Sequence, residues 1–283
     1  KTVFVIEASS YQLAYSKLFK SNISLILNIS PDHLERHKTI SKYVSAKFKL
    51  VKNQSKKNFA ILNTKNFYIK RELKSKKFLP KVIRIEKDIG NTFLKKINNQ
   101  YFNTDGNKEN LKFILAAAKI LKLKKNLLIE TLKKFKGLKY RQEKIFQSKK
   151  LTIINDSKAT TFSSSVSLLK SLTNVYWIVG GQAKKGDKLL LSKKKCKNFK
   201  AFIFGTNKNF FIHKIKKLMK YESFLNLKSL VKKLSLEVNA DKNTNHKTIL
   251  FSPSAASFDS FENFEKRGAY FNQLIKKYIN AKL

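Results

Sequence analysis

The chain has 283 residues, 42% of them hydrophobic, which is enough for two cores of ordinary size rather than one. Lys and Arg outnumber Asp and Glu by 61 to 18, a formal net charge of +43, but the lysines run through almost every segment and gather into no stripe, which argues against a groove-reading nucleic-acid element. The single cysteine, Cys196, excludes an internal disulfide and fits a reducing cytoplasm, and no apolar run approaches the roughly 18 residues that span a bilayer.

The chain opens in TVFVIE, which reads as a buried strand ending in Glu7; no charged-then-apolar signal sequence precedes it, and starting on a core strand suggests a piece of something longer. A short helix follows, then the strand ISLILNI with Asp32 and His33 just beyond it, and a helix through SKYVSAKFKLVKN that carries Lys47. FAILN reads as another strand and is followed by helix-like sequence. From Lys81 to Phe102 the pattern changes to the short strands KVIRI, TFLKKI and QYF, before two helices over NLKFILAAAKILKL and NLLIETLKKF. Gly137 then punctuates the chain and places a domain boundary there.

After Gly137, IFQSKKLTIINDS reads as a hairpin, and strands at NVYWIVGG, AFIFGT and KTILFSP alternate with helices. Alternating strands and helices predict parallel α/β sheets in both halves, and folds of that kind place chemistry at the carboxyl ends of their strands. The stretch NDSKATT, residues 155–161, lies where the strand LTII turns into the helix FSSSVSLLKSL. Its simplest role is capping of that helix by Asp156 or Ser157; a catalytic role is the alternative. Glu7 could offer an oxygen ligand to a hard cation such as Mg²⁺, and Lys158 and Arg141 could hold phosphate. No GxxxxGKS/T phosphate loop occurs in these 283 residues, so if ATP is the substrate its main phosphate cradle is expected outside them.

The segments EASSYQL (7–13), NISPDHLERH (28–37), YVSAKFKL (43–50), GLKYR (137–141), INDSKAT (154–160), VGGQAKKGD (179–187) and SPSAASFDSFENFEKRG (252–268) occur in the order found in the Mur ligases. The chain resembles this family from end to end. NDSKAT and the SPSAASFDSFENFEKRG stretch resemble its D-glutamate-adding branch. The resemblance implies residues 1–137 as a central ATPase domain with a mainly parallel sheet, lacking its amino-terminal phosphate loop, and residues 138–283 as a Rossmann-like α/β domain that binds the incoming amino acid. It implies an ATP- and Mg²⁺-dependent amide ligase of cytoplasmic peptidoglycan precursor synthesis. Such an enzyme phosphorylates the carboxylate of UDP-N-acetylmuramoyl-L-alanine, and D-glutamate attacks the acyl phosphate. It also implies a monomer with no membrane or specific nucleic-acid partner, and a chain that does not turn over ATP by itself.

Residue by residue, the resemblance implies Glu7, His33, Lys47 and Lys158 as catalytic, with Glu7 and His33 as metal ligands and Lys47 a third once carbamylated. It puts Ser9 and Gln12 on the muramoyl substrate, and Asn110, Arg141, Asp156 and Lys158 on ATP, Asp156 at the ribose. Thr160, Lys184, Ser257, Phe258 and Phe264 would bind D-glutamate, with Lys185 a solvated neighbour. Phe258 and Phe264 have the competing reading of aromatic packing at a buried helix start. Two positions depart from the family pattern: Tyr140 stands where a histidine is usual, and ENLKF keeps Asn110 but puts Phe113 where a nucleotide-contacting asparagine is expected. A ligase adding glutamate to another acceptor, such as a folate or polypeptide, and a basic nucleic-acid-binding module are the alternative functions; the latter predicts affinity that falls with salt.

Overall fold

The structure, a computed structural model, describes residues 2–31, 33–86, 91–184, 186–240 and 245–279. Asp32 lies outside them. Two compact units divide the chain between Phe135 and Lys136.

The first unit contains α1 (Ser10–Tyr15), β1 (Ile23–Ile26), α2 (Leu34–His37), α3 (Ile40–Lys52), β2 (Phe59–Leu62), α4 (Phe67–Ser75), β3 (Lys81–Arg84), α5 (Asn91–Ile97), a 3-10 turn at Gln100–Asn103, α6 (Asp105–Ile120) and α7 (Lys125–Lys134). The strands form a parallel sheet in the order β1-β2-β3, with Ile23 opposite Phe59 and Phe59 opposite Lys81. Successive side chains on β2 go to opposite faces. Ala60 and Leu62 join Val44, Phe48 and Val51 of α3 in one core. Ile61 meets Phe113 of α6 and Ile85 on the other face.

Three expectations fail in this unit. TVFVIE forms no strand: residues 2–9 carry no regular structure, and Phe4 and Val5 are exposed, because a β pattern becomes a strand only where a neighbour takes its backbone groups. Glu7 therefore ends no strand. TFLKKI is helical, since Phe93, Leu94 and Ile97 fall on one face at helical spacing while Lys95 and Lys96 face water. QYF makes a 3-10 turn held by Asn99, whose side chain accepts from the Tyr101 amide at 2.9 Å and donates to the carbonyls of Leu132 and Phe135 at 2.8 and 2.7 Å.

The second unit contains β4 (Glu143–Gln147), β5 (Leu151–Asn155), α8 (Phe162–Ser171), β6 (Val175–Gly180), β7 (Phe199–Phe204), α9 (Lys208–Ile215), β8 (Lys220–Ser223), α10 (Leu227–Ala240), β9 (Lys247–Phe251) and α11 (Phe264–Tyr278). Its six-stranded sheet runs β4-β5-β9-β6-β7-β8, parallel except for β4, which closes the expected hairpin with β5. Val175, Trp177 and Val179 of β6 pack with α8 and α9, while Ile178 and its neighbours on β7 and β9 pack with α10 and α11. Both faces are covered, so the strands read as near-continuous apolar runs. β8, with the sequence KYES, gives no such signal: it is a short charged edge strand, the usual form of a protected sheet edge. Cys196 is buried in the core beside α8 and α9, where burial pushes its thiol pKa up.

The chain lays down β5, β6, β7 and β8 before it returns through α10 to insert β9 between β5 and β6. The loops that leave β5, β9 and β6 consequently emerge side by side at one sheet edge, the place where open α/β sheets bind ligands.

Candidate active site

In the second unit these three loops carry NDSKAT, SPSAAS and GGQAK. The Asp156 amide donates to the Phe251 carbonyl at 2.7 Å, the Gly180 amide to Pro253 at 2.9 Å, and Gln182 and Ala256 exchange backbone bonds at 3.0 and 3.1 Å. Gly180 has φ 140°, and a Cβ there would come within 2.0 Å of the Phe204 carbonyl oxygen, so only glycine lets β6 end against β7 in this way.

Asp156 does not cap α8. Thr161 does, accepting from the Ser164 amide, because the chain makes a further turn before the helix starts. Asp156 is buried; its carboxylate accepts from the Gln142 amide at 3.1 Å and the Ser252 hydroxyl at 2.8 Å. Desolvation raises its pKa to about 7, against the opposing pull of those two bonds and of the Arg141 charge. Ser157 is no cap either: its hydroxyl donates to the Phe264 carbonyl at 2.9 Å and accepts from Arg267 Nε at 3.1 Å. The Lys158 amide donates to the Tyr140 carbonyl at 3.0 Å, and its ammonium lies 4.0 Å from the centre of the Phe264 ring. Arg141 and Thr160 are exposed.

Tyr140 and Gln142 both have left-handed backbones, φ 61° and 50°, which aim the Tyr140 carbonyl and the Gln142 amide at the NDSK loop. Those contacts are made by the backbone, so they do not depend on which side chain stands at 140. The Tyr140 ring lies over Gly268, where an added Cβ would come within 2.4 Å of it.

Sequence reasoning passed over Arg267, although it lies within a quoted motif. Its side chain is wholly buried and donates to Ser157 Oγ at 3.1 Å, the Ser157 carbonyl at 2.7 Å, and the carbonyls of Ala255 and Ala256 at 2.9 and 3.2 Å. One guanidinium thus ties the loop after β5 to the loop after β9; burial lowers its pKa to about 10. The available signal was a lone arginine in the first turn of an amphipathic helix, where a cation is poorly placed against the helix dipole.

Phe264 opens α11 half-buried. Phe258 corrects the packing reading: it sits in a turn before the helix, 73% exposed, because the chain needs Ser257–Ser260 to come round to α11. Ser257 is buried. Lys184 is half-buried after the Gly180-Gly181 turn, and desolvation lowers its pKa while Asp187 opposes this. Lys185 lies outside the described residues.

In the first unit, Ser9 and Gln12 form a capping box at the start of α1: Ser9 Oγ accepts from the Gln12 amide at 3.2 Å and Gln12 Oε1 from the Ser9 amide at 2.8 Å. His33, with left-handed φ of 53°, has its Nδ1 3.3 Å from the Tyr11 hydroxyl and 3.6 Å from Glu35. Its ring and that of His37 both contact Tyr43, and Lys47 Nζ lies 5.3 Å from the Tyr43 ring centre on the following turn of α3. Burial lowers the Lys47 pKa. Glu7 is exposed, and among the described residues no group of three His, Cys, Asp or Glu side chains is placed to hold a metal ion. Asn110 is exposed on α6, and Phe113 is buried against Ile61 and Ile85, so that position serves packing. No described helix is long and apolar enough to cross a membrane.

Residues 1–128 match the family described as Mur ligase middle domain. The chain is 33% identical to the UDP-N-acetylmuramoylalanine–D-glutamate ligase of Rickettsia bellii, over 96% of this chain and 64% of that protein. It is 31% identical to the ligase of the same name from Rickettsia felis, over 98% of this chain and 66% of that one. The chain therefore spans about two thirds of the length of these curated relatives. MurF from Acinetobacter baumannii is similar in structure, with a TM-score of 0.64 at 14% identity over 93% of this chain and 62% of that chain. A MurF ligase from Thermotoga maritima in complex with ADP gives a TM-score of 0.59 at 13% identity over 90% of this chain and 62% of that one. Likeness at that level of identity is a likeness of fold.

Proposed function

This chain belongs to the Mur ligase family, and from that premise we propose that it supplies the middle and carboxy-terminal parts of an ATP-dependent ligase that adds D-glutamate to UDP-N-acetylmuramoyl-L-alanine. The observation that carries the reading is the insertion of β9 between β5 and β6, which brings NDSKAT, SPSAAS and GGQAK to one sheet edge. Residues 1–137 are assigned the muramoyl substrate and, through Asn110, the nucleotide, and residues 138–283 the amino acid and, through Arg141, Asp156 and Lys158, ATP; this boundary lies two residues past the division between the units after Phe135.

Acyl-phosphate formation and amine attack depend on positioning and charge neutralisation more than on covalent help from the protein. Lys158 supplies a cation for phosphate, held in place by its contact with Phe264. Arg141 is exposed and offers phosphate its bidentate fork. Asp156 is assigned to the ribose and Asn110 to nucleotide binding. Lys184, Thr160 and Ser257, with Phe258 and Phe264 as walls, receive D-glutamate, whose two carboxylates need a cation and hydroxyl donors. The capping box leaves the Gln12 side-chain NH₂ and the Ser9 hydroxyl hydrogen as donors toward the muramoyl substrate. Bound Mg²⁺ would neutralise ATP phosphates, and Glu7 and His33 are the side chains assigned to it. Among the described residues no group of three His, Cys, Asp or Glu side chains forms a ready cage for it. Lys47 suits carbamylation: a lowered pKa leaves more neutral amine to take up CO₂, and the product carries oxygen ligands in place of a cation.

Lys184→Ala is expected to raise the D-glutamate requirement about ten- to a hundredfold, the value of a charge-assisted hydrogen bond, and to leave the ATP requirement nearly unchanged. Lys193→Ala, at an exposed lysine, is the control for general attraction that salt screens. Steady-state kinetics of this chain joined upstream to a segment carrying a GxxxxGKS/T loop measures both. Equal effects of the two variants, or equal weakening of both substrates by Lys184→Ala, would remove Lys184 from the amino-acid pocket. In the same protein Lys47→Ala should lower turnover at least tenfold, on the order of one lost charge-assisted contact, with partial recovery in added short carboxylates. Unchanged turnover would take the carbamate out of the mechanism.

A further inference from the structure

Behind Asp156 lies a row of buried hydroxyls to which the functional reading gives no role. Ser252 Oγ donates to Asp156 Oδ2 at 2.8 Å, Ser165 Oγ is 2.6 Å from Ser252 Oγ, and Ser254 Oγ is 2.6 Å from Ser165 Oγ. Ser165 and Ser252 are wholly buried, Ser254 nearly so. A hydroxyl has one proton to give. While Ser252 gives its proton to the carboxylate, it must accept from Ser165, and Ser165 must accept from Ser254. The chain then has one direction, from Ser254 through Ser165 and Ser252 to an ionised Asp156.

The reverse direction is poorly served. If the Asp156 carboxyl donated to Ser252, the last hydroxyl, Ser254, would be left with the Ser252 carbonyl at 3.4 Å, which already accepts from Trp177 Nε1 at 2.9 Å. Ser254 also has φ 57°, a left-handed backbone that a serine holds only when its surroundings fix it, and its hydroxyl bond to Ser165 is such a tie. The next residues, Ala255 and Ala256, carry the carbonyls gripped by Arg267, and Ser257 follows them.

We propose that Ser165, on α8, is a positioning residue for Asp156: it sets the direction of a three-hydroxyl chain that presents one O–H to the carboxylate and ties the loop after β9 to it. Serially polarised hydrogen bonds strengthen one another, so loss of the middle hydroxyl weakens the bond that Ser252 makes at the far end. The consequence for catalysis rests on the reading of Asp156 as the ribose-facing group; the consequence for the carboxyl itself does not.

Titration of the Asp156 carboxyl, followed by carbon NMR in the chain without ligands, tests the proposal. The other groups acting on this carboxyl, the Gln142 amide and the Arg141 charge, are left in place by these substitutions, as are the Lys158 ammonium over Phe264 and Arg267 on the Ser157 carbonyl. Ser165→Ala should move the midpoint upward by about 0.5 to 1 pH unit, Ser252→Ala by at least as much, and Ser165→Thr, which keeps a hydroxyl, should leave it in place. A midpoint that Ser252→Ala moves and Ser165→Ala does not would overturn the proposal, as would an equal shift in Ser165→Thr. If the midpoint moves as expected but nucleotide affinity does not, the relay stands and the ribose reading of Asp156 fails.

Discussion

Arg267→Ala should cost the second unit about 3 to 5 kcal/mol, the combined penalty of several buried hydrogen bonds lost from a charged donor and of a large buried side chain removed. The loss has two parts. The buried carbonyls of Ser157, Ala255 and Ala256 lose a charged donor, and the volume of a large, wholly buried side chain is emptied. Arg267→Lys should recover only part of the stability, because an ammonium on a flexible stem cannot reproduce a planar fork spread over two loops. Urea denaturation monitored at Trp177, in the core of that unit, measures the change. A loss below about 1 kcal/mol would mean that the loops hold together without the guanidinium.

Asp156→Asn should change the pH dependence of stability. The carboxyl titrates near 3.8 when unfolded and near 7 in the folded protein, so the folded state binds more protons between those values. Stability from this group is therefore fully present below about pH 4, falls as the pH rises, and is lost above about pH 7. About three pH units separate the two midpoints, which bounds the effect at roughly 4 kcal/mol. Asparagine cannot ionise; like the protonated carboxyl it keeps one acceptor oxygen for the Gln142 amide and turns a donor toward Ser252. The variant should match the parent near pH 4 and exceed it near pH 8 by up to that amount, measured from thermal unfolding of the second unit. Parallel stability curves for the two proteins from pH 4 to 8 would show that the buried carboxyl does not carry this titration.

The elements most legible in the sequence were those whose periodicity matched their burial. β5, β6, β7 and β9 are apolar on both faces and read as runs, and α3 and α6 carried clear helical stripes. TVFVIE misled because pattern reports the wish to pair, whereas a strand also needs a neighbour. α5 misled because Thr, Phe and Ile resemble a strand over six residues, a length too short for the two periods to separate.

At the site, NDSKAT was legible as a functional cluster, but the side-chain roles within it were not. Propensity favours Asp156 or Ser157 as a cap, and only the position of β9 shows that Asp156 turns inward to Ser252 instead. Arg267 and Ser165 make contacts about 110 and 87 residues away in sequence, to Ser157 and Ser252, and no local pattern announces such pairs.

What defines this ligase is the amino acid it joins and the acceptor that receives it. The direct measurement is product formation from UDP-N-acetylmuramoyl-L-alanine, ATP and Mg²⁺ by this chain joined upstream to a phosphate-loop segment, with D-glutamate, L-glutamate, L-lysine or D-alanine offered in turn and products resolved by mass spectrometry. One amide product is expected, containing D-glutamate and formed with one phosphate released per bond. A product containing any other of these amino acids in preference, or glutamate added only when a folate or polypeptide replaces the muramoyl acceptor, would contradict it.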